Sequence, residues 1–330
     1  MDWIGVFTNG LRTGLGPQAA AYALLAIGLN VHFGFTGLLN FGQVAFMLVG
    51  AYGVGITTVT YGGPLWLGIL VGLGGALVLA LIVGVPTLRL RADYFAITTI
   101  AVAEVLRLIV RSSSAGDVTG GPLGLQSIAP EFQDINPIPV GTYGVGRVSY
   151  PHGQLWTLLV TWGVALLATV VVILLMRSPW GRVVKAVRED EEVARSLGKN
   201  VFSYKLQSLM LGGSIGAAGG IMFSLGSQTV NADTYQPQVT FYAYVILILG
   251  GAASRFGPLI GAVLFWFLFS AISTALRQAA RADLLPEFMS GGGSTGATVL
   301  TFVGLALMLL MIFRPQGILG NKKEMVLGAR

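Results

Sequence analysis

The chain has 330 residues, of which 54% are hydrophobic and only 10% are charged, and its mean hydropathy is +0.76. A soluble domain usually has about 25% charged residues, so this composition excludes a soluble globular domain and indicates an integral membrane protein. The absence of cysteine excludes disulfides and thiolate metal sites, and in a membrane protein a net charge of +6 marks the cytoplasmic surface rather than a nucleic-acid site.

Long apolar runs follow one another along the sequence. About 20 helical residues cross a hydrocarbon core of roughly 30 Å, and most of the runs reach that length. We therefore predict an all-α polytopic membrane protein, a single transmembrane domain over 1–330 with eight or nine crossings. The N-terminal sequence lacks the pattern of a removable signal peptide. The predicted segments are 17–33, 38–59, 65–85, 92–111, 155–176, 201–224, 239–253, 257–276 and 296–313.

The distribution of Lys and Arg predicts which loops face the cytoplasm. Loop 177–200 carries six of these residues, whereas loop 112–154 carries Arg147 alone. The first is therefore predicted to be cytoplasmic and the second to be an extracytoplasmic loop. Nine crossings with a cytoplasmic C-terminus put the N-terminus outside, and eight put both ends inside. Segment 38–59 bears on this choice, because its many glycines and its two side-chain amides favour a broken or re-entrant segment.

Small residues repeat every four positions in two of the segments. Such spacing lines one helix face and lets helix backbones approach closely. Packing within the chain is the favoured interpretation, and a dimer seam is the alternative. The residues are Gly68, Gly72, Ala76, Ala80 and Gly84 in one segment, and Gly212, Gly216 and Gly220 in the other.

A highly charged stretch, 178–200, interrupts the apolar segments. Ser178 suits a helix N-cap, Pro179 suits the first helical position and Gly198 suits the position after the end, so one amphipathic helix is predicted over 179–197. A helix that only binds lipid would be rich in Lys and Arg on its polar face, and four consecutive acidic residues do not fit this. The mixed charge favours docking to a protein partner, with a connecting helix on the lipid surface as the alternative.

The sequence offers no machinery for ATP hydrolysis or covalent catalysis. A phosphate-binding loop requires G-x-x-x-x-G-K-[ST], and GKN at 198–200 lacks both the first glycine and the hydroxyl. There is no cysteine nucleophile, and the two histidines lie far apart in sequence. We expect a non-catalytic membrane subunit that binds no metal, cofactor or nucleic acid.

Six blocks in chain order carry a resemblance to a known family. They are GLNVHFGFTGLLNFGQVAFMLVGAY (28–52), LRLRADYFAITTIAVAEVLRLIV (88–110), TGGPLGL (119–125), GRVVKAVREDEEVARSLGKNVFSYKL (181–206), ILGGAASRFGPLIGA (248–262) and FRPQGILG (313–320). Together they resemble the branched-chain amino acid permeases of ATP-binding-cassette importers, in particular the longer permease subunit. The chain departs from the family pattern at Gln43, where His is frequent, and at Arg255, where a small or apolar residue is expected.

The resemblance implies a bacterial inner-membrane importer subunit with several partners. These would be a second permease, two ATP-binding subunits that hold ATP and magnesium, and an extracytoplasmic binding protein that loop 112–154 helps to receive. Stretch 178–200 would be the coupling helix that docks on the ATPase. Its predicted docking residues are Arg182, Lys185, Arg188, Glu189, Asp190, Glu191, Ala194, Leu197 and Gly198. The solute would be a branched-chain or other hydrophobic amino acid, although relatives that carry urea or amides share much of the pattern.

Polar residues within the predicted segments are candidates for the solute path. An intramembrane carboxylate is costly, which makes Glu104 a functional candidate, although it could pair with Arg107 on the same helix face. Asn and Gln at depth commonly hydrogen-bond between helices, so packing is the alternative for the amides. A transporter or channel that works alone would instead need an ion site or a proton relay. The path candidates are Asn40, Gln43 and Glu104, and Asn30 and His32 lie close to the first two in sequence.

Overall fold

Helices dominate the computed structural model, which describes residues 2–282, five residues between 298 and 308, and residues 317–319. Predicted segment 296–313 lies mostly outside the described residues. The helices are α1 (Trp3–Gly14), α2 (Pro17–Leu29), α3 (Gln43–Gly55), α4 (Leu65–Thr87), α5 (Ala92–Arg111), α6 (Gly116–Thr119), α7 (Glu131–Asp134), α8 (His152–Arg177), α9 (Pro179–Glu189), α10 (Glu191–Ser196), α11 (Val201–Ser227), α12 (Pro237–Gly250) and α13 (Gly257–Arg281). α2 and α3 continue as wider π-helical turns over Asn30–Phe35 and Ile56–Thr60.

The strands are short and lie between the long helices. They are β1 (Leu125–Gln126), β2 (Thr142–Val145), β3 (Val148–Pro151) and β4 (Thr229–Val230). β1 pairs with β4 and β2 pairs with β3, both antiparallel. The β1–β4 pair joins the loop after α6 to the loop after α11.

Six helices of the described chain are long and apolar enough to cross a membrane. α5 has 20 residues but carries four charges, and α12 has only 14 residues. At 1.5 Å per residue, α12 is about 21 Å long and is shorter than a hydrocarbon core. The six spans are Pro17–Phe35, Gln43–Thr60, Leu65–Thr87, His152–Arg177, Val201–Ser227 and Gly257–Ala280.

The helix bundle has two distinct ends. We call the end that carries residues 112–151 and 228–236 the outer end, and the end that carries α9 and α10 the inner end. The start of the chain lies at the outer end, because the backbone N–H of Asp2 donates to the Gln278 side chain (2.9 Å) and its carboxylate pairs with Arg147 (2.8 Å). Hydrogen bonds from the Gly5 backbone and from Arg147 hold the pKa of Asp2 below its usual value. Of the two alternatives for the N-terminus, the structure therefore fits the one that places it with loop 112–154.

Segment 38–59 is broken, but it does not turn back. Residues 37–42 are not helical, and Gly37 lies against Arg188 of α9 at the inner end. After the break, α3 runs to Thr60, whose hydroxyl donates to the carbonyl oxygen of Val118 (2.8 Å) at the outer end. The segment therefore reaches from one end of the bundle to the other, and the re-entrant alternative does not fit.

Helix α11 lies at the centre of the bundle, and its small residues face its neighbours. A Cβ atom at Gly212 would meet the carbonyl oxygen of Gly28 on α2, and a Cβ atom at Gly220 would meet the carbonyl oxygen of Met47 on α3. Gly216 faces the side chain of Gln43. All three glycines thus lie in contacts within the chain. This agrees with packing within the chain, which was favoured over a dimer seam.

Candidate functional site

The charged stretch at the inner end forms two helices rather than the single helix predicted over 179–197. The backbone of Asp190 is extended, and its carboxylate accepts hydrogen bonds from the backbone N–H groups of Glu192 (2.9 Å) and Val193 (3.0 Å). Asp190 is therefore the N-cap of α10, and the acidic run supplies a cap and a first helical turn. Ser178 occupies the N-cap position of α9, but its hydroxyl donates to the Leu175 carbonyl oxygen instead of capping the helix.

Not all of the predicted docking residues are available to a partner. Ala194 is 2% exposed and packs with Val187 and Val201, so its prediction as a docking residue is wrong. Gly198 ends the stretch in a left-handed conformation (φ 75°), as its position suggested. Leu197 is 72% exposed. We call five of the exposed side chains of this stretch the inner surface; they are Arg182, Lys185, Glu189, Glu192 and Leu197.

Several polar contacts tie α9 and α10 to the long helices, among them the hydrogen bond that Trp180 Nε1 of α9 donates to Gln207 Oε1 of α11 (2.8 Å). Arg188 donates from its guanidinium to the carbonyl oxygen of Gly34 (2.5 Å), in the π-helical turn that ends α2. Glu191 pairs with Lys205 of α11 (2.5 Å) and with Arg195 of α10 (3.2 Å). These two predicted docking residues therefore face the bundle at least in part and fix the inner surface relative to α2 and α11.

His32, Asn40 and Gln43 form one fully buried network. Asn40 Nδ2 lies 3.1 Å from both His32 Nδ1 and Gln43 Oε1. His32 Nε2 lies 3.2 Å from the carbonyl oxygen of Leu209, and Gln43 Nε2 donates to the carbonyl oxygen of Gly212 (3.1 Å). A carbonyl oxygen only accepts and an amide nitrogen only donates, so Nε2 of His32 carries the proton, Nδ1 accepts, and the ring is neutral. The network joins the break before α3 to α2 and α11. In this conformation Asn40 and Gln43 therefore bond neighbouring helices. Such packing was the alternative to lining a solute path.

Threonines of neighbouring helices bind the backbone amides freed by the break. The N–H of Phe41 donates to Thr99 Oγ1 on α5 (3.1 Å), and the N–H of Val44 donates to Thr240 Oγ1 on α12 (3.0 Å). Such partners are required where backbone is irregular at membrane depth. Sequence reasoning missed both threonines, because a single Thr in an apolar helix is common and its partner is distant in the chain.

Three of the six sequence blocks meet at the inner end of α12. Asn30 donates to the carbonyl oxygen of Ser254 (2.9 Å) and accepts from the N–H of Ala253 (2.9 Å), which fixes the turn between α12 and α13. The N–H groups of Ile318 and Leu319 donate to the last two carbonyl oxygens of α12, both at 3.0 Å. Distant parts of the chain thus cap a helix that ends short of a full crossing.

Glu104 lies near the outer end rather than deep between helices. Its side chain is 36% exposed and pairs with Arg107 at 2.5 Å, which is the pairing that the i+3 spacing predicted. Asp233, in the loop before α12, pairs with Arg107 (3.0 Å) and Arg111 (2.9 Å). The cluster joins α5 to the outer loop, and this ion pairing was the alternative to a path role for Glu104.

Replacing Asn40 with alanine should destabilise the bundle by more than about 2 kcal/mol. The change removes the acceptor of the Gly42 N–H (2.9 Å) and the donor to His32, and each buried polar group left unpaired costs about 1–3 kcal/mol. Thermal unfolding in detergent measures the effect. Gln207→Ala is the matched control, because Gln207 is exposed and its side chain bonds Trp180 and Ser203 alone among the described residues. Equal losses in both variants would contradict a structural role for the network.

The described residues contain no group of three or more His, Asp or Glu side chains that could hold a metal ion.

In comparisons with known proteins, residues 14–313 match the family described as "Branched-chain amino acid transport system / permease component". No solved structure matches the chain.

Individual relatives cover most of the chain at low identity. The high-affinity branched-chain amino acid transport system permease protein LivM of Salmonella typhimurium is 28% identical, over 90% of this chain and 67% of that protein. The probable branched-chain amino acid transport permease protein LivM of Methanocaldococcus jannaschii is 25% identical, over 91% of both. The fructose import permease protein FrcC of Rhizobium meliloti is 26% identical, over 76% of this chain and 65% of that protein.

Proposed function

The chain belongs to the family of permease components of branched-chain amino acid transport systems, and on this premise we propose that it forms part of the translocation path of an importer driven by separate ATPase subunits. It is a multi-pass, non-catalytic membrane subunit. The ATPase subunits would supply the ATP and magnesium sites. A second permease and an extracytoplasmic binding protein would complete the assembly.

The observation that carries this proposal is the inner surface. It presents cations, carboxylates and the 72% exposed side chain of Leu197 on two short helices. A connecting helix on the lipid surface would not carry carboxylates beside its exposed leucine. Complementary charge around an apolar contact gives a docking site its register instead. Stretch 178–200 would then be the coupling segment, in two helices rather than one.

The inner end would face the cytoplasm and the outer end the extracytoplasmic side. This orientation follows the excess of Lys and Arg in 177–200. The six spans together with α5 and α12 would make eight crossings between residues 17 and 281, and predicted segment 296–313 would add a ninth. The N-terminus would lie outside, and loop 112–154 would be available to the binding protein. Lipid would cover α8, of which only 22% is buried within the chain.

The solute would be a branched-chain or other hydrophobic amino acid. Relatives named for branched-chain amino acids support this class, whereas the fructose permease shows that related sequences carry other solutes. The buried Asn40 and Gln43 are closed to solvent in this conformation. If they line the path, they do so in another conformation, in which the network with His32 opens.

Copurification tests the proposal directly. The tagged chain, extracted in mild detergent from its native membrane, should bring down a second permease and ATP-binding subunits. Leu197→Asp should lower the amount of ATPase recovered by about tenfold, as expected for an apolar side chain central to an interface. Val140→Asp is the matched control, because Val140 is 89% exposed but lies at the outer end.

Two outcomes would contradict the proposal. Full recovery of the ATPase with Leu197→Asp would exclude docking through the inner surface. A chain that purifies alone and moves leucine into liposomes without ATP would be a transporter that works by itself, and the Glu104 cluster would then be the first place to search for ion coupling.

A further inference from the structure

A cavity of about 270 Å³ lies at the inner end, beneath α9 and α10. Its walls come from the α2–α3 turn at Leu38, the α4–α5 turn at Leu88 and Arg91, and the inner face of α9 at Val187. Arg91 is exposed, so solvent reaches the cavity. Sites for drug-sized ligands have volumes of roughly 300–1,000 Å³, so this cavity suits a smaller molecule.

The floor of the cavity is apolar. Leu38, Leu88 and Phe95 line it and are 6%, 8% and 2% exposed. Removing apolar surface of a ligand from water against such a floor is favourable and non-directional. The floor therefore suits a branched aliphatic or aromatic side chain.

Charged side chains of both signs line the remaining wall. In the part of the chain that the structure describes, the side chain of Arg91 makes no hydrogen bond or ion pair, so its guanidinium is free to bind a carboxylate bidentately. Glu191 is oriented by Arg195 (3.2 Å) and Lys205 (2.5 Å). Each carboxylate oxygen accepts more than one hydrogen bond, so Glu191 can also receive an ammonium group.

We propose that this cavity binds a free apolar α-amino acid from the cytoplasmic side, with its carboxylate on Arg91, its ammonium group on Glu191 and its side chain on Leu38, Leu88 and Phe95. The class of ligand rests on the proposed function, since it is the class of the imported solute. Arg188 and Lys205 also line the cavity, but their cationic groups already bind the Gly34 carbonyl oxygen and Glu191, so Arg91 is the cation available to the ligand. Arg91, Glu191 and the apolar floor thus match the three parts of the ligand.

The position of the cavity gives the bound amino acid a regulatory effect. The ligand would contact α10 at Glu191 and the turns at Leu38 and Arg91 together, and so hold the coupling segment against the long helices. Import requires the coupling segment to move with the ATPase. The imported amino acid therefore slows its own import as it accumulates inside.

An anionic lipid headgroup is the competing occupant, because Arg91 and Lys205 would also bind a phosphate. Glu191 disfavours it, since a carboxylate on the wall repels a phosphate. The two occupants differ in whether they need Glu191: an amino acid places its ammonium group there, and a phosphate does not.

Direct binding to the full chain in lipid nanodiscs, without binding protein or ATP, tests the site. The probes are L-leucine, 3-methylbutylamine, which lacks the carboxylate, and 4-methylpentanoate, which lacks the ammonium group. Leucine should bind more tightly than either analogue, and Arg91→Gln should weaken the binding of leucine by about tenfold without weakening that of the amine. Arg89→Gln is the matched control, because Arg89 lies in the same turn but stacks on Phe202 (5.8 Å).

Two binding results would overturn the proposal. One is equal affinity for leucine in Arg91→Gln and Arg89→Gln. The other is leucine binding that Glu191→Gln leaves unchanged in neutral lipid and that anionic lipid abolishes. Glu191 would then hold no ammonium group, and an anionic headgroup would be the occupant of the cavity.

Import into proteoliposomes by the assembled transporter tests the regulation. Leucine sealed in the lumen should lower the initial import rate of the wild-type and Arg89→Gln transporters, and Arg91→Gln should need about tenfold more lumenal leucine for the same inhibition. Equal inhibition in all three overturns the regulatory role. Absence of any import with an empty lumen is a failure of the proposed function instead, and the binding experiment then still decides whether the site exists.

Discussion

Gly220→Val is expected to abolish the folded permease. At this position α11 lies so close to α3 that even a Cβ atom would overlap the carbonyl oxygen of Met47, with the Cα atom of Met47 at 3.0 Å. Both obstacles are backbone, so no rotamer change relieves the overlap and the helices must separate. Overpacking that a core can absorb costs about 1–3 kcal/mol, and we expect a larger loss here.

Size-exclusion chromatography of detergent extracts after a temperature series measures this loss. Wild-type protein should elute as one symmetrical species, whereas the variant should be recovered as aggregate or not at all. Gly163→Val is the matched control, because Gly163 is exposed on α8 and a Cβ atom there meets nothing within 4 Å. A melting temperature for Gly220→Val within a few degrees of the control would contradict the close approach of α3 and α11.

The Gly220 contact also shows how far sequence could reach. The four-residue spacing of small residues identified the packing face of α11, because spacing alone decides which residues share a helix face. It could not identify the neighbours, since the same stripe meets α2 at Gly212 and α3 at Gly220. Neighbours depend on long-range topology, which no local pattern contains.

Composition predicted the long helices well and the short elements poorly. Helix α1 was not predicted, because Trp3–Gly14 mixes apolar, polar and glycine residues and is too short for a hydropathy signal. It is held instead by α13, where Phe267 packs against Gly10 and Gly14. Tertiary packing, rather than propensity, decides such helices.

The inner end was predicted in outline and wrongly in detail. Apolar periodicity correctly predicted an amphipathic stretch at the surface. It did not predict the helix boundary at Asp190, which caps α10. An Asp followed by two Glu residues is a favourable helix start. Ala194 was assigned to a partner although it is buried within the chain. Periodicity shows which residues share a face and not which of the two faces is covered by the chain itself.

Arg188 should be required for coupling rather than for docking. It is the residue of α9 that donates to the main chain of α2, at the Gly34 carbonyl oxygen, and Gly37 packs against its side chain at 3.3 Å. A charge-assisted hydrogen bond at a helix C-terminus is favoured by the helix dipole as well. Motion of α9 would therefore pull on the π-helical turn, where His32 and Asn30 connect it to α11 and to the α12–α13 turn.

Arg188→Gln is then expected to separate two activities. ATPase subunits should still copurify with the variant and hydrolyse ATP at the basal rate, because the inner surface is intact. Import stimulated by the binding protein should fall by about tenfold or more, since a hydrogen bond to a charged group contributes about 1.5–3 kcal/mol. Arg177→Gln is the matched control, because it removes one exposed positive charge at the end of α8 that is not among the predicted docking residues.

The ratio of solute imported to ATP hydrolysed distinguishes the possible roles of Arg188. A lower ratio with normal ATPase recovery means that α9 still binds its partner but no longer moves α2 with it. A parallel loss of recovery and import would make Arg188 a docking residue like Leu197, and an unchanged ratio would show that the Gly34 contact transmits nothing. The coupling segment is attached to α11 through the Glu191–Lys205 pair and the Trp180–Gln207 hydrogen bond. The contact between Arg188 and Gly34 attaches it instead to the turn that leads to the break before α3.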